Sequence, residues 1–143
     1  MHLRIFRLAF FSCILLLAGC IDDSASFAIG AHDHALSLIR EQRYFWEDEV
    51  ELSLVVTRLP DCQQRHSLES VAAAGLKIQL YETDSQTYLL RQNKNWYAAD
   101  SDTCSMSVVE PPKEAAQGTL LGAFEQDDDE KFTFVKAELT KQP

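Results

Sequence analysis

Glu49-Val50-Glu51-Leu52-Ser53-Leu54-Val55-Val56-Thr57 decides the fold class of this 143-residue chain. Val50, Leu52, Leu54 and Val56 recur at every second position, and the residues between them are polar apart from Val55. Successive side chains of a strand point to opposite faces, so a period of two predicts a strand with one buried and one wet face. Tyr44 and Trp46 fall on the same register as the apolar set, which predicts one long strand over residues 44–58.

Shorter runs repeat the pattern on the C-terminal side. Leu76, Ile78 and Leu80 alternate with Lys77, Gln79 and Tyr81; Tyr88 and Leu90 follow. Gln92-Asn93-Lys94-Asn95 then predicts a hairpin loop before Trp96-Tyr97, because Asn tolerates positive φ. Cys104, Met106 and Val108 alternate with Thr103, Ser105 and Ser107 until Glu110-Pro111-Pro112, where the missing proline N–H ends any ladder. Thr119 to Glu125 and Lys131 to Leu139 flank the acidic run Gln126-Asp127-Asp128-Asp129-Glu130, a final predicted hairpin. Two stretches break the pattern. The alanines of residues 67–74, followed by Gly75, predict a short helical segment, and Lys113 to Gln117 is a weaker case. The expected class is mainly β, a small antiparallel sandwich or partly closed barrel of about six to eight strands.

The N-terminus carries a different signal. His2, Arg4 and Arg7 precede an apolar run from Leu8 to Ala18, too short for the roughly 20 residues that cross a bilayer but within the range of an export signal. The run closes on Leu17-Ala18-Gly19-Cys20, which resembles the lipobox of bacterial lipoproteins. That resemblance implies removal of residues 1–19 as a signal peptide and acylation of Cys20, with palmitate-type chains on its sulfur-linked glycerol and its amine. Each buried methylene adds about 0.8 kcal/mol, so several chains hold a protein far more firmly than one. In enteric lipoproteins an Asp after the lipidated Cys favours the inner membrane. Here Ile21 stands there and Asp22-Asp23 come one step later, so the resemblance implies the outer membrane, facing the periplasm. Residues 20–26 are expected to be a lipidated tether and residues 27–143 a single β-rich domain.

Composition agrees with export. Arg4 and Arg7 leave with the signal, which has no Asp or Glu, so the formal charge moves from −9 to −11. Nucleic acid and anionic headgroups both call for clustered Lys and Arg, and this balance argues against them. Cys13 leaves with the signal and Cys20 is acylated. Cys62 and Cys104 then remain in an oxidising compartment, where an even pair predicts one disulfide.

Residues with reactive side chains form no recognisable catalytic pattern. His32-Asp33-His34 places two imidazoles on one strand face and His66 is a possible third ligand, but no spacing beyond that pair supports a metal site. Asp127 to Glu130 lacks the ligand spacing of a calcium loop and reads as a solvated turn, as does Asp100-Ser101-Asp102. No nucleophile elbow, zinc-protease motif or phosphate-binding glycine loop is present. Tyr44, Phe45, Trp46, Trp96 and Tyr97 are the candidate binding surface, with Arg40, Arg43, Arg58 and Arg65 nearby. The expected role is non-catalytic, without a cofactor: a protein held in the bilayer by Cys20 that binds or scaffolds an envelope protein. Two alternatives stand beside it. One is inhibition of a cationic hydrolase such as lysozyme, suggested by likeness in size and acidity to lysozyme-inhibiting lipoproteins, although their Ser-Gly-x-x-Tyr loop is missing. The other is carriage of an apolar ligand or lipid.

Overall fold

The computed structural model describes residues 20–30, 33–83 and 86–138. Eleven strands occur among them: β1 Asp22–Ala28, β2 His34–Glu41, β3 Glu49–Arg58, β4 Cys62–Ser67, β5 Val71–Ala72, β6 Lys77–Glu82, β7 Thr87–Gln92, β8 Asn95–Asp100, β9 Ser105–Val109, β10 Thr119–Gln126 and β11 Phe132–Lys136. They form two antiparallel sheets. The first runs β1-β2-β3-β4, with β5 following β4 along the same edge of β3; the second runs β11-β10-β6-β7-β8-β9. The sheets do not close into a barrel, so the molecule is a sandwich.

β3 behaves as its alternation predicts. Val50, Leu52, Leu54 and Val56 are at most 1% exposed and face Leu36 and Leu38 of β2, Ile78 and Leu80 of β6, Leu90 of β7 and Phe124 of β10 within one core. At about 1.5–3 kcal/mol for each fully buried aliphatic side chain, the four from β3 alone match the net stability of a typical domain.

Three expectations are corrected. The long strand over 44–58 is only β3 from Glu49 onward, and residues 44–48 belong to a turn, because β2 pairs with β3 from Glu41↔Glu51 to His34↔Arg58 and needs residues 42–48 to reverse direction. The tether over 20–26 is mostly β1, paired with β2 from Asp22↔Glu41 to Ala28↔Ala35. Its small and acidic composition conceals an alternation in which Asp23, Ala25 and Phe27 are the more buried set. The helical segment at 67–74 is extended: Leu68 N–H bonds Leu52 O at 2.9 Å, and Val71–Ala72 pair with Val50 and Glu49. Alanine propensity amounts to tenths of a kcal/mol per residue, less than burying Leu68 and completing the edge of β3. β1, β2 and the two-residue β5 raise the strand count above the expected range.

The connection from β9 to β10 explains the outer face of the second sheet. Val109 pairs with Trp96 at one end, whereas Thr119 pairs with Glu82 at the other end, so residues 110–118 cross β8, β7 and β6 diagonally. Trp96, Leu89 and Tyr81 lie along that diagonal and are all under 9% exposed, although they project away from the core. The strap closes tightly at Gly118, where φ is +78° and a Cβ would overlap the carbonyl oxygen of Glu82.

Tyr88, in the core beside Phe27, carries a pH response. Burial first, and then the neighbouring Glu82 carboxylate 3.4 Å from its hydroxyl, hold its pKa above the ordinary 10.0. A raised phenol pKa means that the folded state keeps its proton where the unfolded chain has lost it. Its contribution is therefore complete below pH 10 and falls as pH rises toward the folded value. Tyr88→Phe is expected to flatten stability against pH above 10, as read by denaturant midpoints. Identical alkaline slopes in the two proteins would count against this assignment.

Candidate functional site

Gln42 organises the end of the sandwich where β2 meets β3. Its backbone N–H donates to Ile21 O at 2.8 Å, its Oε1 accepts from Ile21 N–H at 3.2 Å, and its Nε2 donates to Glu47 O. Glu47 N–H closes the turn on Tyr44 O at 3.0 Å. The chain between is thereby pushed outward, and Tyr44, Phe45 and Trp46 are 45%, 63% and 65% exposed. Tyr44 and Trp46 stack at 4.8 Å with planes 11° apart, and Phe45 meets Trp46 edge-on at 4.8 Å. The rings order one another without a core to hold them. Arg43, at the base, is paired with Glu51 at 2.7 Å.

The five aromatic residues singled out in the sequence do not form one surface. Trp96 is 4% exposed on the outer face of the second sheet, packed on Tyr81 at 5.6 Å with the Arg91 guanidinium 5.6 Å from its ring. Tyr97 is 5% exposed and points inward; its hydroxyl donates to Gln92 Oε1 at 3.1 Å and accepts from Glu69 N–H at 3.3 Å. Adjacent strand positions face opposite ways, and the strap covers the side that would otherwise be wet. The tip at 44–46 is what remains of the candidate surface.

Cys20 is exposed and free, directly ahead of Ile21 and β1. Residues 1–19, including the rest of the lipobox, lie outside the described residues. Cys62 and Cys104 form the expected disulfide with a Cα–Cα distance of 6.0 Å. It joins the start of β4 to the turn before β9, so it ties one sheet to the other rather than fastening an irregular segment. His66 Nε2 lies 2.7 Å from Cys104 O, and Arg58 pairs with Asp102 across the same seam.

The metal candidates are not brought together. His32 falls outside the described residues; His34 pairs with Arg58 in register while His66 pairs with Leu54, about 14 Å further along β3 at 3.4 Å per residue. Among the described residues no group of three or more His, Cys, Asp and Glu side chains is placed to hold an ion. The acidic runs are turn formers: Asp127 Oδ1 accepts from the N–H groups of Asp129 and Lys131, and Asp100 Oδ1 from those of Asp102 and Thr103. Local bonds of this kind explain why Asp occupies those positions.

Two features carried no sequence signal. Arg40 of β2 is 2% exposed and grips Asp23 with two hydrogen bonds of 2.7 and 2.6 Å while lying 4.1 Å over the Phe132 ring. β9 is the bare edge of the six-stranded sheet, and its Val108 is 76% exposed. Comparison with known proteins finds no matching family model, curated protein or solved structure.

Proposed function

We propose that this chain is a lipid-anchored protein of the bacterial cell envelope that holds a β-sandwich at the membrane and binds another envelope protein without catalysis. The observation that carries the anchoring is the position of Cys20. The lipobox cysteine is exposed and only one residue separates it from β1, so removal of residues 1–19 would leave the sandwich whole and its acylated residue accessible.

The binding role is supported by β9. Ser105-Met106-Ser107-Val108-Val109 contains no charge and no proline, the usual devices that blunt an edge strand, and a partner strand could pair with it. Among the described residues the space between the sheets is filled by fully buried side chains such as Leu54, Leu80 and Phe124, which favours a protein partner at the edge over an apolar ligand held inside.

Expressed at native level, the parent chain is expected to incorporate labelled palmitate and sediment with membranes. Cys20→Ser should lose both and accumulate uncleaved precursor. A parent chain without label would refute the anchor. For the edge, a photoreactive residue at Val108 should give one discrete adduct, abolished by Ser107→Pro; adducts unaffected by that proline would place the partner elsewhere.

A further inference from the structure

We propose that Tyr44, Phe45 and Trp46 dock into the lipid surface that carries Cys20, so that the sandwich stands on this end rather than swinging from its anchor. The proposal rests on the anchoring reading above and adds an orientation to it.

Position is the first support. Ile21 is bonded to Gln42 through both of its backbone groups, and Gln42 begins the turn that presents the rings. One residue spans at most about 3.6 Å, and adjacent strands lie about 5 Å apart. Acyl chains entering the bilayer at Cys20 therefore bring the tip to the same surface, at an effective concentration that a diffusing partner has to match. Cys20, Gln42 and Arg43 line one shallow groove, which makes the two features neighbours in space as well as in pairing.

Chemistry is the second. Trp and Tyr favour the membrane–water interface, where the ring lies among acyl carbons and the N–H or O–H reaches headgroup water. Tyr44 Oη and Trp46 Nε1 have no hydrogen-bond partner among the described residues, and the Phe45 ring meets only that of Trp46 among them. The exposed apolar area is thus matched with two free polar ends.

Charge sets the kind of lipid. Glu47, Asp48 and Glu49 follow the rings directly. The acidic turn Asp127 to Glu130 lies at the same end, since Phe132, next to that turn, packs under Arg40, which is bound to Asp23 of β1. Arg43 is occupied by Glu51. Carboxylates around an apolar tip are compatible with a zwitterionic surface and are repelled by an anionic one, so insertion is shallow and limited to the three rings.

The test uses the mature acylated protein, purified from membranes with its acylation verified by mass, in vesicles of phosphatidylethanolamine and phosphatidylcholine. Trp96→Phe leaves Trp46 as the single indole. Brominated lipid is expected to quench Trp46 strongly, and Phe45→Asp should reduce that quenching several-fold while thermal melting stays unchanged. Replacing a third of the lipid by phosphatidylglycerol should also weaken it. Protein that is acylated but has Trp46 unquenched overturns the docking and leaves the anchor standing. Protein found without acyl chains overturns both, and a Trp46 shielded only when a protein partner is added overturns the docking in favour of that partner.

Discussion

Cys104→Ala is expected to lower the stability of the domain by about 4 kcal/mol. The bridge to Cys62 closes a loop with a sequence separation of 42, and the chain-entropy cost of leaving such a loop open in the unfolded state is about 4 kcal/mol at room temperature. For a chain of this size that corresponds to roughly 15–25 °C in melting temperature. The native state loses less than the unfolded state gains, because Arg58 still pairs with Asp102 and His66 still reaches Cys104 O across the seam. Denaturant unfolding of the oxidised parent and the variant checks this, and the slope should steepen as the uncrosslinked chain opens further. Reduction of the parent should reproduce the variant's midpoint. Equal midpoints in all three would remove the bridge from the account of stability.

The elements legible in the sequence are those whose pairing and burial were set locally. β3 and β6 to β8 alternate visibly, Asn93 with φ +55° makes the β7–β8 turn, and the proline pair ends β9 where expected. Other features depended on residues far away in sequence. β1 looks like a tether because its inward residues are Asp23, Ala25 and Phe27, and an Asp is an acceptable inward residue only because Arg40 answers it. Residues 67–74 carry a local preference for helix that loses to an edge of β3 waiting for Val71. The register of Tyr44 and Trp46 with Val50 is genuine, but no local signal showed that Leu36 and Leu38 already formed the neighbouring strand, which forces a turn at the aromatics. Trp96 was ambiguous for the same reason, its cover arriving from residues 110–118.

Asp23→Ala is the second large expected loss, about 2–4 kcal/mol, and the pair it breaks lies at the membrane-facing end proposed above. The Arg40 side chain is 3% exposed and the Asp23 side chain 40%. Removing the carboxylate leaves a guanidinium buried between β2 and Phe132 without its counter-ion, whereas removing Arg40 leaves a carboxylate that water can still reach. The cost should therefore be unequal: Arg40→Met alone loses about half as much as Asp23→Ala. Arg40 Nη1 already lacks a partner among the described residues, so the pair is imperfectly satisfied as it stands. Exchanging both members, Asp23→Ala with Arg40→Met, should recover most of the loss, and a double-mutant cycle on denaturation free energies measures it as a coupling above about 1 kcal/mol. Additive losses would mean that the ion pair is incidental and Arg40 is held by Phe132 alone. Under the docking proposed above the consequence would extend to the lipid surface, because Asp23 is three residues from Cys20 and binds β1 to β2. With Asp23→Ala, β1 is expected to fray first, the proposed anchor would gain a flexible tether, and Trp46 in acylated protein should become less quenched by brominated lipid even where the core remains folded.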